Sequence, residues 1–160
     1  MLHTLLDLCQ RWAAFYSDSA TTRTIVGFAH LGGLVVGGGC AIAEDRSILA
    51  AIRETVAERR QDLRVHRAAH RTVLVGLTIV MASGMLLLAA NLDTYLPSWI
   101  FWTKMALIGA LLLNGIALVR AERAMERTHP RAWPRLRMTA LVSLALWGAT
   151  TLAGAALPNV

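Results

Sequence analysis

Lys104 and His30 are the side chains in this sequence with both the chemistry and the setting to form a site. Lys104 is the one lysine among sixteen basic residues. It stands in Trp99-Ile100-Phe101-Trp102-Thr103-Lys104-Met105-Ala106-Leu107, inside an apolar run long enough to cross a bilayer. A cation in hydrocarbon is costly, so an intramembrane lysine marks a functional site with a partner to be found. The best partner is His30, the one histidine well inside an apolar stretch. Its imidazole can ligate a metal or exchange a proton near neutral pH. Two readings of Lys104 are open. Its stem can snorkel to lift the ammonium to the nearer headgroups, or its amine can ligate iron, donate a proton or hold a substrate carboxylate inside the bundle.

Other residues join this pair by spacing. His30, Gly33 and Gly37 fall at i, i+3 and i+7, one stripe of a helix. Glycines beneath a histidine make a flat wall of the kind a haem needs, with an axial nitrogen and room for the macrocycle edge. The same Gly33-x-x-x-Gly37 spacing is also the ordinary signature of close helix packing in membranes. A second constellation is Asp62, His66 and His70, four residues apart on one face with Glu58 extending the row. Two histidines at i, i+4 with a carboxylate can bind a divalent metal. Amid arginines, the same row also suits a solvated face. No Gly-rich phosphate loop, Cys-x-x-Cys pair or nucleophile elbow is present.

The elements that must position these groups are membrane helices. The chain has 160 residues, 56% of them hydrophobic, with a net charge of +6 and a mean hydropathy of +0.50. That composition is of an integral membrane protein of one domain, residues 1–160. Four apolar stretches span about 20 residues each, at 24–43, 72–92, 99–119 and 138–157. Backbone polar groups in lipid must be satisfied within the element, so these are helices. The expected fold is all-α, an integral membrane antiparallel four-helix bundle. An N-terminal helix with Trp12, Phe15 and Tyr16 is expected at the membrane surface or packed on the bundle. The 44–71 link predicts a helix at the inner surface, and Glu44, Asp45, Glu54, Glu58 and Asp62 alternate there with arginines as on a solvated face.

Arginines set the orientation. The link between the first two spans holds seven and the link between the last two holds six, whereas 93–98 holds none. The positive-inside rule puts both rich links in the cytoplasm and both termini outside, in a multi-pass inner (cell) membrane protein. It also accounts for the basic charge, and no aromatic-interleaved motif points to nucleic acid. Spans one and three then both run inward, and His30 and Lys104 both lie roughly 8 to 9 Å below the outer edge of the apolar core at 1.5 Å per residue. Met85 of span two and Thr150 and Thr151 of span four fall in or near that layer. Cys9 and Cys40 are expected at opposite sides and unpaired. Asn114, off the Lys104 face, is expected to hydrogen-bond another helix, and Trp147 to fill the core.

With these residues in view, the chain resembles the small four-helix membrane haem proteins of the HemJ and CopD-like group. The resemblance rests on His30-Leu31-Gly32-Gly33 early in span one, on the aromatic entry and lysine of Trp99 to Leu107, and on overall size with four spans. It covers two short windows; the first cytoplasmic link here is longer than the family's. The resemblance implies haem b, with His30 as axial ligand and Lys104 as the second essential residue. It also implies an oxidoreductase; the family oxidises protoporphyrinogen. Three function classes are open: a haem b oxidoreductase or electron-transfer protein, with Gly33, Gly37 and Met85 beside the cofactor; a non-catalytic accessory subunit of a larger membrane complex, or a homo-oligomer; and a small transporter with Lys104 and His30 as a polar relay.

Overall fold

The computed structural model describes the backbone of residues 2–50, 56–127 and 133–157, and the side chains of residues 3–50, 70–123 and 134–157. The described residues are helical almost throughout. The helices are α1 (Leu2–Asp18), α2 (Ala20–Gly33), α3 (Gly39–Ala50), α4 (Val56–Ala90), the single turn α5 (Leu92–Tyr95), α6 (Trp99–Arg127) and α7 (Trp133–Ala156). A π-helical stretch, Leu34–Gly38, joins α2 to α3. Among the described residues, four helical segments are long and apolar enough to cross a membrane: Ala20–Ala50, His70–Ala90, Trp99–Arg123 and Pro134–Ala156.

Local signals explain the boundaries. Ser19 caps α2, its hydroxyl accepting from the Thr22 amide at 3.2 Å; an N-cap oxygen satisfies an otherwise orphaned donor. Pro134 falls in the first turn of α7, where its missing N–H costs nothing. The π-helical turn coincides with Leu-Val-Val-Gly-Gly. Glycine and β-branched residues hold the α-helix weakly, and single π-turns occur where such sequence meets a tight contact.

The chain divides into two compact units, Met1–Cys40 with His70–Ser98, and Ala41–Ala69 with Trp99–Val160. In the first, α1 packs on α2, and the Trp12 indole donates to the Leu86 carbonyl at 2.8 Å, tying α1 to α4. Leu5, Leu8 and Phe15 stay exposed on α1. In the second unit α6 and α7 pack along their length. Buried residues of α7 fall at Leu136, Ala140, Ser143, Trp147 and Thr150, a 4-3-4-3 spacing. That is the repeat of a helix seam. Leu136 and Ala140 form a core with Ile48 of α3, and Leu118 and Ala121 of α6 close over it. Trp147 is buried as expected.

Candidate functional site

His30 lies on α2, and α4 orients its ring. Its Nδ1 is 3.1 Å from the Ser83 hydroxyl oxygen. That hydroxyl already donates to the Ile79 carbonyl, one turn back along α4, at 2.6 Å. The hydroxyl is also 3.2 Å from the Val80 carbonyl. While its hydrogen points to either carbonyl, the Ser83 oxygen accepts from Nδ1–H and the ring carries its lone pair on Nε2. Gly84 follows Ser83, and a Cβ there would stand 3.4 Å from His30 Cε1, so α4 approaches the ring closely at a residue without a side chain.

The glycine stripe below His30 meets α4. A Cβ on Gly76 would lie 2.5 Å from Gly37 Cα and 2.9 Å from the Gly33 carbonyl oxygen. No real Cβ tolerates such distances, so this is a backbone-to-backbone crossing of the small-residue kind. Gly33 and Gly37 thus face the α4 backbone, and the crossing leaves no room there for a side chain on either. Met85 is largely exposed on α4. Within the same unit an apolar groove of about 580 Å³ opens between α2 and α4 over Gly33 and Gly76, with Phe28, Val36 and Ile79 on its sides and Arg71 at one end. His30 is not among the residues that line it.

In the second unit Lys104 lies across α7. Its Nζ is 3.3 Å, and its Cε 3.5 Å, from the position a Cβ on Gly154 would take. The Asn114 amide donates to the Thr139 carbonyl at 3.0 Å, the interhelical bond expected of it. That bond sets the antiparallel register, by which Lys104 stands opposite about residue 149. The Lys104 side chain therefore leans toward the C-terminal end of α7. Thr150 is buried one turn before Gly154, and its hydroxyl oxygen has no hydrogen-bond partner. Thr151 points outward.

Asp45 departs from expectation. The charge alternation of the 44–71 link predicts a solvated face, yet Asp45 is 1% exposed and Glu44 is 9% exposed. The physical reason is its place on α3: Asp45 precedes Ile48 and Leu49 by three and four residues, so it shares the apolar face that packs against Leu136 and Ala140 of α7. Ser143 of α7 hydrogen-bonds the Asp45 carboxyl, and its Oδ2 is left without a partner.

Cys9 and Cys40 are free thiols, as expected. His70 is partly buried on α4, but the side chains of Asp62 and His66 lie outside the described residues. Among the described residues no group of three or more His, Cys, Asp or Glu side chains could hold a metal ion. Sequence alone did not single out Ser83, Ser143 or, as a buried hydroxyl, Thr150. The signal for the last two was present in the 4-3-4-3 seam of α7, where hydroxyls take positions that otherwise hold Leu, Ala and Trp. No family model, curated protein or solved structure matches the chain.

Proposed function

We propose that this chain is a multi-pass membrane protein that binds haem b through His30, serving as an oxidoreductase or electron-transfer component. The observation that carries this reading is the Ser83 contact, which holds the imidazole against α4 through Nδ1, the arrangement in which Nε2 would be the nitrogen to ligate iron. Gly84 keeps the adjoining helix surface free of side chains where it meets the ring. A haem held there would supply one-electron chemistry, and its potential would depend on the axial nitrogen and the hydrogen bond behind it. The chain's own part is to hold the ring, and Ser83 does so through one acceptor oxygen. Gly33 and Gly37 belong in this reading to the packing that fixes α2 against α4.

The test begins with the full chain purified in mild detergent after expression with haem supplied. A Soret band is expected, lost in His30→Ala and kept in His70→Ala. Ser83→Ala should keep the haem but lower the midpoint potential's dependence on pH or shift its value, since Nδ1 loses its acceptor. A colourless parent protein under haem-replete conditions would end the proposal.

A further inference from the structure

Asp45 is the candidate that the haem reading leaves unused. Among the described residues it is the one large side chain with almost no exposure, at 1%. Buried polar groups are normally hydrogen-bonded, and each exception calls for an explanation. Here Oδ2 meets no donor, while apolar Ile48 lies one turn along α3 and Ala140 one turn before Ser143. The groups that face the carboxyl are Ser143 of α7, a donor, and Glu122 of α6, whose negative charge acts on it. Glu44 adjoins it on α3. Among the described residues, the groups named around Asp45 are therefore apolar, hydroxylic or acidic. A bare carboxylate is not kept in such a place, and its charge has to be balanced by a bound cation.

The donor set decides which cation. An alkali or divalent ion asks for several oxygens converging on one point, and the unpartnered oxygen here is one, Oδ2. A proton asks for one acceptor oxygen, and Oδ2 is that oxygen. We propose that Asp45 is a proton-binding site: Oδ2 takes up a proton to give the neutral acid, the Ser143 hydroxyl stays bonded to the carboxyl, and release of the proton restores the carboxylate. The same face of α7 carries a second unpartnered buried hydroxyl, Thr150, two turns from Ser143 and one turn before Gly154, where the Lys104 amine rests. At 1.5 Å per residue these steps are about 10 and 6 Å. Asp45 on α3 and Lys104 on α6 thus meet the same helix, α7, at Ser143 and at Gly154, with Thr150 between them. This inference stands independently of haem binding at His30.

The experiment uses the full chain in detergent and in liposomes. Dicyclohexylcarbodiimide adds to a protonated carboxyl in apolar surroundings, giving a stable acylurea located by peptide mass spectrometry. Labelling is expected at Asp45 and not at exposed Asp7, falling as pH rises and lost in Asp45→Asn. Infrared spectra provide the second measurement. The parent should show a protonated-carboxyl C=O band that shifts in heavy water and is missing from Asp45→Asn, which keeps the shape of the side chain. Absence of that band, or labelling suppressed by sodium in place of choline at constant pH, would overturn the proposal; the latter would make the bound ion a metal.

Discussion

At the residue scale, the direction in which Lys104 leans separates its two readings. Its amine rests on Gly154, near the C-terminal end of α7, several residues beyond the level set by the Asn114–Thr139 bond. A lean toward a helix end relieves the cost of a buried ammonium, and the glycine makes room for it. Lys104→Met keeps length and apolar bulk while removing the amine. We expect this variant to fold and to melt at or above the parent temperature, since no charge then needs solvating. If Lys104 also acts with a cofactor, as the family resemblance implies, the pigment spectrum or turnover should change in the same variant. Unaltered pigment with raised stability would leave it a membrane anchor. Lys104 and His30 were legible in the sequence because charge or an imidazole within an apolar run stands out against its neighbours. Ser83 was not, since a serine is unremarkable in a membrane helix until the geometry shows where its hydrogen goes. Asp45 was misleading, because it adjoins Glu44 and Arg46 and shares the polarity of the link beyond it.

At the element scale, α2 and α4 are held by removing atoms. Gly33, Gly37 and Gly76 let two backbones approach to distances that any side chain would block, and dispersion over such a contact replaces the hydrophobic force that lipid does not supply. Gly76→Ala must push the helices apart, because the nearest atoms are backbone rather than the flexible end of a side chain. A loss of about 1–3 kcal/mol is expected from overpacking of this kind, read as a lower unfolding temperature in detergent. Gly148→Ala is the control. Nothing lies within 4 Å of a Cβ there, and alanine is favoured over glycine in a helix by up to about 1 kcal/mol, so stability should hold or rise. Equal losses in both variants would show that the crossing contributes nothing particular. The helices themselves were legible from apolar length; the third starts at Trp99 as read and the fourth ends at Ala156, but α4 begins at Val56 and α6 runs to Arg127, well beyond the apolar stretches. The π-turn was not legible. Its residues satisfy an α pattern equally well, and only contact between elements makes the extra residue worthwhile.

At the scale of the whole molecule, the distribution of charge along the chain speaks to a membrane more directly than any single site does. Large apolar side chains are exposed on all four candidate spans, among them Phe28, Val35, Val75, Leu113, Trp99 and Leu152. In water such surface would drive aggregation; facing lipid or a partner subunit it is the expected outer surface. Thirteen of the fifteen arginines fall in two of the connections between spans, seven in the first and six in the last. Aspartate and glutamate contribute little to insertion, so the five acids of the first link do not cancel its pull. If all four candidate spans cross, both termini share a side, and the positive-inside rule expects that side to be outside. A reporter active only in the cytoplasm, fused after Val160, should therefore be silent, while one active only in the periplasm should work; within the 51–55 stretch the two should exchange. The contrary pattern at Val160 would reverse the orientation, and with it the side of the membrane from which the Asp45 carboxyl exchanges its proton. Replacing Arg120, Arg123 and Arg127 by glutamine tests the cause. If arginine excess sets the orientation, these changes should yield a mixed population at Val160, whereas a topology fixed by helix packing would leave both reporters unmoved.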